Sequence, residues 1–323
     1  MHRVKRDFYP TAQEPVSMIT GQREALWQAL NRIAPLELAG GWDNVGVLLD
    51  PPIAPLTSRR PADEKILLTI DLTERVLAEA VSLGCTVIIA YHPVIFGGVK
   101  RLTTANAQGR ILLEAAHRGI GIYSPHTALD AVPGGVCDWL TLAALTPSES
   151  ILPSLPCSQE WPLELSRYEA LEPAGIDQDS PTGSGRRAHL VTPMSLEQIM
   201  GQLQRRLNQN LSEEQAPIYL RVVAPPDTSL TDITIQRIAL CPGAGGGLFE
   251  SVRDVDLLIT GEMRHHDLVS RAQSGTAVIL TEHSRCERGY LSHYAQHIAE
   301  CTQADVLQSR CDDDPLRLYP PLT

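Results

Sequence analysis

KILLTIDLTERVLAEAVSLGCTVIIAY, residues 65–91, sets two short apolar runs on either side of an amphipathic stretch. Lys65–Asp71 (KILLTID) reads as a strand, Thr73–Leu83 as a helix and Cys85–Tyr91 (CTVIIAY) as a second strand. Near-continuous apolar strands alternating with amphipathic helices predict a largely parallel sheet covered by helices on both faces. The alternation continues outward. Upstream, Gly21–Ile33 carries Leu26, Leu30 and Ile33 at helical spacing; downstream come a helix over Ala105–His117, a strand over Gly119–Tyr123 and a helix over Val136–Leu145. Together these make a first α/β lobe over residues 16–146.

From about Pro147 to Arg187 the texture changes to crowded Pro, Ser, Gly, Glu and Asp, ending in IDQDSPTGSGRR. Residues 147–190 therefore read as a polar linker or insertion, loop-like in composition. A second α/β lobe is expected over 191–323. It has a helix at Ser195–Leu207, strands at Ile218–Val223, Thr234–Leu240 and Val255–Thr260, and a helix at His265–Ser274. A strand at Ala277–Thr281, a helix at His283–Ala299 and a closing strand at Asp305–Ser309 complete it.

Composition narrows the function classes. Of 323 residues, 43% are hydrophobic and 20% charged, the balance of a globular chain with room for a sizeable core. A formal charge of −11 disfavours direct nucleic-acid binding, and no apolar run approaches the roughly 20 residues of a membrane span. The start, MHRVKRDFYP, lacks the apolar stretch of a secretory signal, and Asp7 and Glu14 fit a mitochondrial presequence poorly. A cytoplasmic location is expected. Seven scattered cysteines without a CxxC pair indicate reduced thiols. Cys286 could be a nucleophile beside His283; a small residue in a helical turn is the simpler reading.

Ligands of open parallel sheets gather beyond the carboxyl ends of the strands. Here those ends carry Tyr91-His92-Pro93, then SPHTALD with His126 and Asp130, then GEMRHH with Glu262, His265 and His266, and finally His283 with Glu287. A lone strand-end His is ordinarily a hydrogen-bonded structural residue. Four ends presenting His or carboxylate together point to a metal site in a cleft. Imidazole nitrogens with carboxylate oxygens suit Zn, Mn, Fe or Co, and a bridging carboxylate would permit two ions roughly 3.5–4 Å apart. His283 and Glu287, four apart, share one helical face.

Two further stretches are weaker signals. The glycine-rich CPGAGGG (241–247) follows a strand, and its amides could cradle an anion or simply form a turn packed against its neighbours. Gly-Trp-Asp-Asn-Val-Gly (41–46) reads as a turn capped by Asp43 or Asn44.

Six stretches resemble the NIF-three (NGG-interacting factor three) family, many members of which carry the label GTP cyclohydrolase I type 2 homologue. They are PLELAGGWDNVGVLLD, AYHPVIFGGVK, SPHTALDAVPGGVCDWL, IALCPGAGGG, LLITGEMRHHDL and TEHSRCERGYL, in family order across most of residues 20–320. The resemblance implies two α/β lobes facing a dinuclear metal cleft, and ring-shaped homo-oligomers, often hexamers built from dimers. It makes His92, Asp130, His283 and Glu287 the metal ligands, with Glu287 bridging. Many members have His-His-Pro where this chain has Tyr91-His92-Pro93, which puts one metal position in question; a phenol with pKa near 10 is a poor ligand, and His126 could compensate. His265 and His266 match the family's TGEM-HH segment and are expected beside the cleft as substrate-facing or proton-handling groups.

Two function classes follow. One is a metal-dependent hydrolase for a small substrate, nucleotide or otherwise phosphate-bearing, with Glu262, His126, His265 or His266 handling protons. The other is a non-catalytic metal-binding regulator or interaction protein with protein partners. Metal handling would use the same ligands. The ionisable groups around the cleft favour an enzyme.

Overall fold

Burial on both faces explains the strands around which the chain is built. Ile66, Leu67 and Leu68 are fully enclosed, as are Val87, Ile88 and Ala90, so each strand contributes apolar side chains above and below its sheet. Between them the helix starts where the Thr73 hydroxyl accepts from the Val76 amide at 3.3 Å, and ends at Gly84, whose φ of 69° a side chain would resist.

The computed structural model describes residues 23–52, 60–147, 164–174, 181–209 and 218–316. In chain order they form α1 (Glu24–Ile33), β1 (Gly46–Leu49), β2 (Lys65–Thr69), α2 (Glu74–Leu83), β3 (Val87–Ala90), α3 (Ala107–His117), β4 (Gly121–Ser124), α4 (His126–Ala131) and α5 (Val136–Leu145). Next come β5 (Leu165–Glu169), β6 (Glu172–Pro173), β7 (Gly183–Ser184), β8 (Arg186–Ser195), α6 (Leu196–Asn208), β9 (Arg221–Val223) and β10 (Thr234–Cys241). The rest are β11 (Leu257–Thr260), α7 (His265–Gln273), β12 (Ala277–Leu280), α8 (Arg285–Arg288), α9 (Leu291–Thr302) and β13 (Asp305–Gln308).

One sheet has the order β1-β4-β3-β2-β13, parallel except for β1 at its edge. The other runs β5-β8-β10-β11-β12-β9 and is mixed: only β10, β11 and β12 are mutually parallel. The expectation of largely parallel sheets therefore describes the first sheet and only the centre of the second. A main hydrophobic cluster runs through both, joining Ile66 and Leu68 to Ile238, Leu257 and Ile279 through α5 and α9. Every residue of α5 is buried, which fits a helix apolar on all sides.

Three sequence readings change. The closing strand, assigned to the second series, pairs in parallel with β2 of the first sheet, and α9 packs between it and α1. Its pattern marks a strand but cannot choose its partner. Residues read as linker supply β5 and the first half of β8, which pair antiparallel at the rim of the second sheet. Neither LSRYE nor RRAHL carries the continuous apolar run of a doubly covered strand, so composition resembled a loop; 148–163 and 175–180 lie outside the described residues. Finally, His283–Ala299 is two helices, α8 and α9, and His283 precedes the first of them. Among the described residues no helix is long and apolar enough to cross a membrane.

Candidate metal centre

β3 ends at Ala90, but its ladder continues: Tyr91 N donates to Thr69 O and His92 N to Ile70 O, at 2.9 and 3.0 Å. This sets the His92 ring beside the end of β2, where Nδ1 lies 2.9 Å from Asp71 Oδ1. The second sheet repeats the device. Thr281 N donates to Thr260 O, and His283 Nδ1 lies 2.9 Å from Glu262 Oε1 beyond the end of β11. Each imidazole is held through Nδ1 and turns Nε2 toward Glu287. The distances are 3.3 Å from His92 Nε2 to Oε2 and 3.7 Å from His283 Nε2 to Oε1. One ligating atom from each of His92, His283 and Glu287 falls within a 4.8 Å span.

The carboxylates control the charge here. Burial disfavours a charged His92, yet its contacts with Asp71 and Glu287 prevail and lift its pKa to about 10. Burial likewise opposes ionised Asp71, but the His92 bond and the Arg288 and His283 charges hold its carboxyl below the ordinary value. Asp130 is pushed up to about 6 by burial, aided by the Glu287 charge and opposed by a hydrogen bond from Tyr91. Tyr91 donates that bond, 2.6 Å to Asp130 Oδ1; burial and the Asp130 and Glu287 charges keep its phenol protonated.

These residues fit a metal ion. His92 Nε2 and Glu287 Oε2 are buried and face each other at 3.3 Å with no other hydrogen-bond partner for either atom, so a metal ion displacing the proton between them would find two ligating atoms already converged. Carboxylates on the far nitrogen of each His fix the ring orientation, as ligating imidazoles require. The glycine-rich loop leaves the space. A Cβ on Gly243, whose φ is +60°, would lie 2.6 Å from Glu287 Oε1 and 3.2 Å from His283 Nε2. That favours close packing as the reason for CPGAGGG over an anion cradle, and two of its amides are already engaged: Gly243 N donates to Cys286 Sγ and Gly245 N to Thr260 Oγ1.

The other candidates separate. Asp130 lines the same cavity but lies outside the three-residue group, tied to Tyr91. His126 also lines it, with Nδ1 2.8 Å from Asp43 Oδ1. Glu262 is placed as the group that orients His283. His265 and His266, expected beside the cleft, are exposed at the start of α7 and line none of this cavity; their side chains leave the helix on its solvent side. Cys286 is fully buried and burial pushes its thiol up, which removes it as a nucleophile.

Sequence reading missed Asp71 and Asp43. Asp71 follows an apolar strand as His92 does, so the strand-end rule was sufficient to find it. Asp43 does cap its turn, accepting from Asn44 N at 2.7 Å, but also accepts from the Thr127 hydroxyl at 2.5 Å while holding His126. Nothing local signals that second task.

An α/β protein with strand-end histidines converging on one buried glutamate is the class that fold and site define. The chain belongs to the Duf34/NIF3 (NGG1p interacting factor 3) family, whose model matches residues 22–315. It is 35% identical to NGG1-interacting factor 3 of Saccharomyces cerevisiae, covering 91% of this chain and 96% of that one. With the protein NIF3 homolog of Schizosaccharomyces pombe it shares 37% identity, over 87% and 92%. Among solved structures, a Staphylococcus aureus hypothetical protein, SA1388, superposes with a TM-score of 0.69 at 23% identity, over 91% and 98%. Reduced HcgD from Methanocaldococcus jannaschii gives 0.63 at 17%, over 87% and 94%. These last two speak to the fold alone.

Proposed function

We propose that the protein is a metal-dependent hydrolase acting on a small substrate in the cavity above Glu287. The carrying observation is the buried pair His92 Nε2 and Glu287 Oε2, which have no partner but each other, with His283 Nε2 beside them. His92, His283 and Glu287 would hold one divalent transition metal; Asp130, sharing Glu287 with that group, would serve a second, in competition with the Tyr91 hydroxyl. A bound Zn, Mn, Fe or Co would supply Lewis-acid activation of water and of the substrate's electrophilic centre. The chain's own residues do the remainder. Asp43 holds His126 by Nδ1, leaving its other ring nitrogen to take or give a proton in the cavity. Glu262 and Asp71 keep the two rings aimed.

The name of the yeast relative favours a second reading, a non-catalytic interaction protein that uses the same metal group. Assembly into a hexameric ring of dimers is part of the proposal and is read from the solution mass. The decisive test is metal content by mass spectrometry after reconstitution with Zn, Mn, Fe and Co, for the native chain and for folded His283→Ala and Glu287→Gln variants. Bound metal lost in both variants, with hydrolysis found only in the loaded protein, is the expected result. Metal without turnover selects the interaction reading; no retained metal overturns both.

A further inference from the structure

Aromatic side chains are scarce here, 5% of the chain, and most of those described are buried. Trp42 and Phe96 are not: 69% and 60% of their surfaces are exposed. Both line the cavity that holds the metal group, and they meet edge to face with centroids 6.1 Å apart. His126 completes the cluster, 6.1 Å from Trp42 and 6.4 Å from Phe96. Leaving two large rings in water at one spot forgoes about 1.5–3 kcal/mol each in burial, so their position calls for something that covers them.

The rings are held in place, and the turn at 41–46 does the holding. The indole lies over Gly40, where a Cβ would come within 2.9 Å of Trp42 Nε1. Gly40 N donates to Thr127 Oγ1, and Asp43 grips both Thr127 and His126. Asn44 Nδ2 donates 2.6 Å to Ile95 O, the residue before Phe96. A single turn thus carries one ring and fixes the backbone or side chain of the other two. Such pre-organisation lowers the ordering cost of binding.

The charges around the cavity narrow what is bound. Among the described residues no Lys or Arg lines it, whereas Asp130, Glu172 and Glu287 do. In the metal-free chain a triphosphate would meet carboxylates and a glycine loop with two of its amides already engaged; bound metal would offset the Asp130 and Glu287 charges and leave Glu172. The space, about 670 Å³, accommodates a ring system with a sugar-sized substituent.

We propose that Trp42, Phe96 and His126 form an aromatic corner, one face of which stacks on an uncharged, planar heteroaromatic ring of nucleobase or nucleoside size held beside the metal group. This rests on the cavity being a substrate site and is independent of the reaction performed there. The test is calorimetric titration of metal-free and zinc-loaded protein with guanosine, adenosine, cytidine and uridine, each beside its 5′-triphosphate, with Trp42→Ala, Trp42→Phe and Phe96→Leu variants checked for fold and solution mass. To the metal-free protein at least one nucleoside should bind more tightly than its triphosphate. Trp42→Ala should weaken it by about 5- to 150-fold, the range for loss of one stacked base, and Trp42→Phe should restore most of that. Metal content must be unchanged in all three variants, which separates this corner from the metal group: a failed metal assay with intact nucleoside binding sinks only the hydrolase. Triphosphates binding the metal-free protein more than tenfold tighter, with the gain surviving Trp42→Ala, overturn the proposal. So does a change of solution mass in Trp42→Ala with nucleoside binding unaltered, which would make the rings a contact between copies. Absence of binding by every nucleoside overturns it as well.

Discussion

The two halves of the metal group use one device in two settings. In the first sheet β2 and β3 lie side by side in parallel, and the residues beyond their ends, Asp71 and His92, pair through Nδ1. In the second, β11 and β12 do the same with Glu262 and His283. The settings differ. The His92 side chain is 21% exposed and that of His283 39%. Behind Asp71, buried Asp312 accepts from Ile70 N at 2.7 Å and from Arg288 Nη1 at 2.6 Å, linking the end of β2 to the helix that carries Glu287. The returning C-terminal segment braces the first half through Asp312 and touches the second through Asp314, which accepts from Ser284 Oγ at 2.6 Å beside His283; the second half stands nearer to water. Similar first contacts therefore need not have similar worth, because exposure lets solvent replace a lost partner and burial does not.

That contrast can be broken, and the brace is where the largest effect is expected. Asp312→Ala strands the Ile70 amide and takes the carboxylate from the mostly enclosed Arg288 guanidinium, which keeps only the residue-312 carbonyl and the Ser284 hydroxyl, and should lower stability by about 3 kcal/mol in denaturant unfolding of the metal-free protein. A loss under about 1 kcal/mol, within the ordinary range for an exposed pair, would remove bracing from the comparison. The orienting carboxylates sharpen it further. Asp71→Ala should weaken metal affinity by about 10- to 100-fold, the usual consequence of losing a ligand's supporting partner, and Glu262→Ala by under about tenfold. Competition with a fluorescent chelator measures both, and equal losses would mean that burial does not separate the halves.

A separate test is a pH dependence. His92 has its folded pKa raised from 6.5 to about 10 in the metal-free chain. Its contribution to stability is therefore fully present below about pH 6.5 and is lost as pH rises through about 10. Unfolding midpoints of the native chain and of His92→Gln, taken from pH 6 to 10.5, should converge at the alkaline end. A constant gap would show that no charged imidazole sits between Asp71 and Glu287.

Much of this was legible in residue order. Apolar runs such as Ile66–Leu68 and Val87–Ala90 are strands because only a doubly covered sheet buries every side chain in them. Once they are strands, His92, His126, His283 and Glu287 fall near their carboxyl ends, where ligands gather. The resemblance to the family rested on the same local stretches. Less was legible where polar residues line an edge: β5 and the first half of β8 read as linker because LSRYE and RRAHL lack a continuous apolar run.

What sequence determined by itself was the set of elements and the chemistry waiting at their ends, since both depend on residues within a few positions of one another. Tertiary structure alone decided which ends meet. Asp71 reaches His92 only because β2 lies beside β3 in register, Thr69 opposite Ala90. Asp43 reaches His126 across 83 residues, and Asp312 braces Ile70 across 242. β13 joins the first sheet from the far end of the chain. Pairings of that kind are settled by which packing buries the shared core while satisfying every strand edge and buried charge together, and no local window of sequence contains that competition.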